Sequence, residues 1–228
     1  MRLALTPLLL LWFLLLPALG ATRELNCPYL PGVSVTSDDE ESIVIICLAT
    51  QKALHFLGAY NLTSRSKIRF DIVEEKIVNR GADAYGSYDS RSDRIQLMSF
   101  AAIQKDPEHP LIFGEAFDRV HYAAVVAHEV AHAVVQHNLT FKPLSPAPQE
   151  YLAYATQLAV IPTVRRAAII KAIDIEAWAS GDLISDIYLG INPDKFAVKS
   201  YRHLTGLSNP TIFVEMLLGA KWFYVYVP

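Results

Sequence analysis

The most constraining stretch of this sequence is His128-Glu129-Val130-Ala131-His132, set in a run over residues 123–135 that is otherwise Ala and Val. A segment apolar on almost every face, flanked by helical spacing from 117 to 137, predicts a buried helix. At about 100° per residue, positions four apart stand one above the other with Cβ atoms about 5–6 Å apart, so His128 and His132 share a face. Burying two imidazoles and a carboxylate among small aliphatic side chains is costly unless each finds a compensating partner. A divalent cation supplies one, and zinc suits imidazole and carboxylate donors. A solvated stripe on a surface helix is the competing reading, and the apolar flanks at 124–127 and 133–135 suit it badly.

A zinc site with an open catalytic position needs a third protein ligand. Val135 and Asn138 occupy the positions where a glycine and a third histidine would mark the metzincin spacing, so that class is excluded. His137 points about 140° away from His132 on a continuous helix. The next acid is Glu150, at the start of a helix predicted over 149–160 after a turn rich in proline (Pro143, Pro146, Pro148) that lets it fold back on the first helix. His128, His132 and Glu150 are therefore the candidate metal ligands, with Asp174 and Glu176 as fallbacks. A helix-start glutamate favoured by the macrodipole is the plainer account of Glu150.

Glu129 lies beside the ligand face and is the candidate catalytic residue. It would take a proton from a water activated by zinc as that water attacks a peptide carbonyl. Tyr154, Tyr201 and His203 are available oxyanion donors, but each reads first as a packed aromatic or a satisfied group and stays outside the catalytic set. His121, two turns before His128, reads as a group supporting the helix face.

Residues 67–73 alternate charged with β-branched and aromatic residues, the pattern of a strand with one buried face. Residues 85–89 and 94–98 flank a polar turn and predict a hairpin. A helix is predicted over 42–60, started by Ser37 or Asp38, and another over 164–179, interrupted at Gly181. The predicted fold class is α+β: a small antiparallel or mixed sheet packed on the buried helix, then a mainly helical C-terminal part. Residues 42–228 form one domain, with the aromatic-rich segment 221–228 docked on the core.

Residues 1–20 combine Arg2, an apolar run and the small-residue exit Ala18-Leu19-Gly20, which reads as a signal peptide cleaved near Gly20. An uncleaved anchor is the alternative, since the run approaches bilayer length. After cleavage no stable membrane span is expected, and the product is secreted or periplasmic. Residues 21–41 read as a mobile arm tethered by a disulfide between Cys27 and Cys47, the two cysteines of the chain. Two free thiols, with Cys47 packed as a small hydrophobe, are the alternative. Asn61 and Asn138 begin Asn-x-Thr acceptor sites that matter only in a eukaryotic secretory route. Lys and Arg number 20 against 23 Asp and Glu, which leaves no basic surplus to neutralise a phosphate backbone. Nucleic acid is excluded as a leading partner.

The His-Glu-x-x-His helix followed by a helix bearing Glu150 resembles the gluzincin branch of the zincin metallopeptidases, over about residues 85–160. Gln149 before the glutamate is similar to the Asn of thermolysin-like members. The spacing from His132 to Glu150 is slightly shorter than in the best-known members, and Tyr154 stands where they carry an Asp, so the support of one histidine is left open. The resemblance implies a small exported bacterial protein of an uncharacterised zincin-like family. It also implies an edge strand ahead of the metal helix, within 85–98, on which a peptide or protein substrate lies extended. The activity it implies is zinc-dependent peptide-bond hydrolysis. The alternatives are a binding or envelope-assembly module that keeps the metal site without peptidase activity, and a metal-free domain stabilised by the disulfide.

Overall fold

The computed structural model describes residues 23–37, 39–79, 81–107, 111–139 and 144–219. Strand β1 (Arg23–Asn26) pairs antiparallel with β2 (Val33–Ser37) through a turn in which Tyr29 and Gly32 take positive φ. Helix α1 (Glu40–Gly58) starts at Asp39, whose side chain accepts the Glu41 N–H. Strand β3 (Ile68–Val73) returns parallel to β2. A small hairpin of β4 (Ile77–Asn79) and β5 (Ala82–Ala84) precedes β6 (Gly86–Asp89) and β7 (Arg94–Met98), which pair antiparallel. Strand β7 lies parallel to β3, so the sheet is mixed, in the order β1-β2-β3-β7-β6, with β6 at an edge. Arg94 on β7 donates two hydrogen bonds to Asp71 on β3, at 2.6 and 2.7 Å, and holds that carboxyl below its ordinary value.

The remainder is helical apart from one short hairpin. After α2 (Phe100–Gln104), β8 (Leu111–Ile112) and β9 (Glu115–Ala116) lead into α3 (Arg119–Asn138). Then follow α4 (Pro146–Val160), α5 (Thr163–Ile173), α6 (Asp186–Ile191), α7 (Pro193–Gly206) and α8 (Pro210–Leu218). Helix α3 packs against α1, α4 and the sheet. Its stretch Ala124, Val126, Ala127, Val130, Ala131 and Val134 is fully enclosed, which confirms the all-round apolar pattern as burial.

Three expectations are corrected. Residues 23–37 are not a loose arm outside the domain: β2 lies between β1 and β3 with Val33 and Val35 buried, so the domain begins before residue 42. The prolines and Gly32 that suggested mobility form the turn joining two strands, and five residues of β2 are too few for a clear periodic signal. The helix expected over 164–179 ends at Ile173, where Asp174 takes a left-handed conformation. Helix α1 is capped by Asp39, not by Ser37 or Asp38. The expected signal peptide and the docked segment 221–228 lie outside the described residues, as does Asp38.

Cys27 and Cys47 form the disulfide, which joins the β1–β2 turn to α1. Closing a loop with a sequence separation of 20 restricts the unfolded chain. Replacing both cysteines by serine is expected to lower the unfolding free energy by about 3 kcal/mol. Urea denaturation reads this as a lower midpoint with a somewhat steeper slope, because the unfolded chain without the crosslink exposes more surface.

Candidate metal centre

Helix α3 starts at Asp118, whose carboxylate accepts the N–H groups of Val120 and His121. Ten residues on, it delivers His128, and one turn later His132, to the lining of a cleft of about 850 Å³. Helix α4 lies against α3 and brings Glu150, in its second turn, to the same point. The two Nε2 atoms are 3.1 Å apart; His128 Nε2 lies 3.2 Å from Glu150 Oε2, and His132 Nε2 lies 3.5 Å from Glu150 Oε1. Donors about 2.0–2.2 Å from a tetrahedral zinc stand roughly 3.3–3.6 Å from one another, so the three side chains span one face of such a tetrahedron. Two imidazole nitrogens meeting at this distance repel unless a cation or a shared proton lies between them. Burial disfavours charge on His128, and the Glu150 carboxylate more than offsets it, holding this imidazole above its ordinary value. The residues present fit a zinc ion.

The orientation of His128 has a specific cause. Its Nδ1 lies 2.9 Å from Gln157 Oε1. An Nδ1–H donated there leaves the Nε2 lone pair aimed at His132 and Glu150. Tyr154 packs its ring edge-on against His128 with centroids 4.8 Å apart. Gln157, seven residues after Glu150 and so two turns along the same face of α4, makes the hydrogen bond that the sequence reading left open. Gln157→Leu is expected to weaken zinc binding about 10–100-fold while leaving the fold intact, as measured by competition with a chelating indicator.

Glu129 is buried beside the triad, against the edge strand. Met98 donates its N–H to Tyr85 O, so residues 85 and 98 form a hydrogen-bonded pair across the β6–β7 ladder. The alternation of an antiparallel ladder then turns the backbone groups of Gly86 and Tyr88 away from β7, toward the free edge. Tyr88 N–H donates to the Glu129 carboxylate from that edge. A Cβ on Gly86 would lie 2.8 Å from Glu129 Cγ, so glycine is what lets the strand approach. Burial pushes the Glu129 carboxyl up to about 7, against the opposing effects of His128 and the Tyr88 N–H.

A polar clasp fixes the strand to the far end of α3. Asp93, at positive φ in the β6–β7 turn, accepts from Tyr88 Oη at 2.9 Å, Ser66 Oγ at 2.8 Å and His137 Nε2 at 2.8 Å. The other ring nitrogen of His137 lies 3.2 Å from Ser64 Oγ.

The remaining candidates lie elsewhere. His121 is enclosed at the first turn of α3, with Nδ1 3.1 Å from Ala116 O and Arg165 close by. Asp174 caps α5, and Glu176 is 89% exposed and paired with Arg202. His203 meets Tyr151 Oη at 2.7 Å, and Tyr201 lies under Arg166. Of the three side chains weighed as oxyanion donors and left outside the catalytic set, Tyr154 lines the cleft. Asn138 spends its side-chain amide on Val134 O and Thr63 O, which closes the end of α3. Sequence reading missed Gln157, Gly86 and Asp194 as cleft residues. For Gln157 the signal was present in its spacing from Glu150; the other two depend on contacts between distant elements.

No curated protein and no solved structure matches the chain. The chain belongs to a family of unknown function, DUF6639, whose model matches residues 33–226.

Proposed function

We propose that this protein is an exported zinc-dependent metallopeptidase. The observation that carries the reading is the convergence of His128, His132 and Glu150 at tetrahedral-edge distances in a cleft that Glu129 also lines. When bound, the metal supplies Lewis-acid activation of the attacking water and of the scissile carbonyl. Glu129 takes up the proton released by that water and returns it to the leaving amine. Its buried place beside the ligands, with one backbone N–H to orient it, suits a base that must change protonation during turnover. The outward-facing backbone groups at the β6 edge support the binding of an extended peptide as an added strand. Gln157 and Tyr154 hold His128 in place while the substrate enters. The disulfide is consistent with an oxidising compartment, as expected of a secreted or periplasmic protein.

The test is to measure zinc content of the purified chain and cleavage of a diverse peptide library. The expected result is one zinc per chain and hydrolysis that a chelator abolishes and added zinc restores. His132→Ala is expected to lose both metal and activity. Bound zinc without cleavage of any peptide would instead favour a binding or assembly module built on the same site. Absence of zinc binding, with no rise in melting temperature on adding zinc, would defeat both.

A further inference from the structure

The cleft also carries a carboxylate that the catalytic arrangement does not use. Asp194 lies in the first turn of α7 and lines the cleft together with Ile112, Phe113, Leu189 and Pro193. Its carboxylate accepts the N–H of Phe113, which ties the β8–β9 turn to α7. Asp194 lines the same cleft as His128, His132, Glu150 and Tyr154. Among the described residues no Lys or Arg lines the cleft. Burial raises the Asp194 carboxyl, and the single N–H from Phe113 offsets this only in part. An acid among apolar lining residues matches a side chain with an aliphatic stem and a cationic head.

We propose that Asp194 is the specificity-determining residue of the cleft and selects peptides carrying Lys or Arg beside the scissile bond. The proposal rests on the peptidase reading for its setting, but its test does not require turnover. The aliphatic stem lies along Ile112, Phe113 and Leu189, and the ammonium or guanidinium pairs with the Asp194 carboxylate. A free amino terminus offers the same charge without the stem, and the apolar lining favours the side chain.

The experiment uses the zinc-loaded full chain with Glu129→Gln, so that peptides stay intact, and calorimetric titration with peptides blocked at both ends. These carry Lys, Arg, norleucine or Glu at one position moved along the sequence; an unblocked peptide without basic residues tests the amino terminus. Lys and Arg peptides are expected to bind about 10–100-fold tighter than the norleucine peptide at one position. Asp194→Asn added to this background is expected to abolish that preference. Asn keeps an oxygen for the Phe113 N–H, so a purely structural role would weaken all peptides alike or none. Equal loss across peptides, a preference that follows the free amino terminus, or no peptide binding overturns the assignment. Cleavage by the otherwise unaltered chain is scored separately. Failure to cleave defeats the peptidase reading, while the binding preference still decides Asp194.

Discussion

Glu129→Gln is expected to lower peptide hydrolysis by about 10²–10⁴-fold, the usual contribution of a positioned acid–base group. Zinc content and melting temperature should stay close to those of the parent chain. The amide has nearly the same shape, and Glu129 is not one of the three converging donors. Its neutral form also removes the burial penalty that raises the carboxyl to about 7, so stability should not fall. Single-turnover cleavage of a fluorogenic peptide, with metal analysis of the same preparation, reads both quantities. Loss of activity together with loss of zinc would mean that Glu129 serves the metal site and not the proton transfer. Full retention of activity would remove it from the mechanism.

Gly86→Ala is expected to reduce hydrolysis about 100-fold without touching a ligand. The added Cβ would stand 2.8 Å from Glu129 Cγ, 2.9 Å from Leu97 Cδ2 and 3.1 Å from Glu129 Oε1. Real side chains do not tolerate such separations, so Glu129 or strand β6 must move. A displacement of about 1 Å at a reacting group costs on the order of 10² in rate. Overpacking of this kind also destabilises by roughly 1–3 kcal/mol. The decisive control is the double variant with Glu129→Gln. If alanine acts by displacing the base, the double variant is no slower than Glu129→Gln alone. Multiplicative losses would place the effect on substrate binding at the strand edge instead. Retained zinc in both variants separates either outcome from collapse of the centre.

Much of the centre was legible because it is local. His128, Glu129 and His132 lie within two turns of one helix, and helical geometry alone fixes which of them share a face. Glu150 required one more step, a second helix folded back on the first, and the proline-rich turn at 143–148 carried that information. The strands at 68–73 and 94–98 were readable from alternation for the same reason: period and burial are properties of consecutive residues. The arm at 23–37 was misread because β1 and β2 are short and punctuated by Pro28, Pro31 and Gly32. Their strand character comes from pairing: β2 with β3, about thirty-five residues on, and β1 with β2.

The sequence by itself determined the buried helix, the histidine pair on its face, the acid that follows and the cysteine pair, since each rests on spacing along the chain or on a count. Only the tertiary structure decided that Gln157 orients His128, that Gly86 lets an edge strand reach Glu129, and that Asp194 faces the cleft from α7. Those three depend on which distant elements touch. Contact between elements follows from the packing of whole faces and the register of a mixed sheet, which no window of consecutive residues contains.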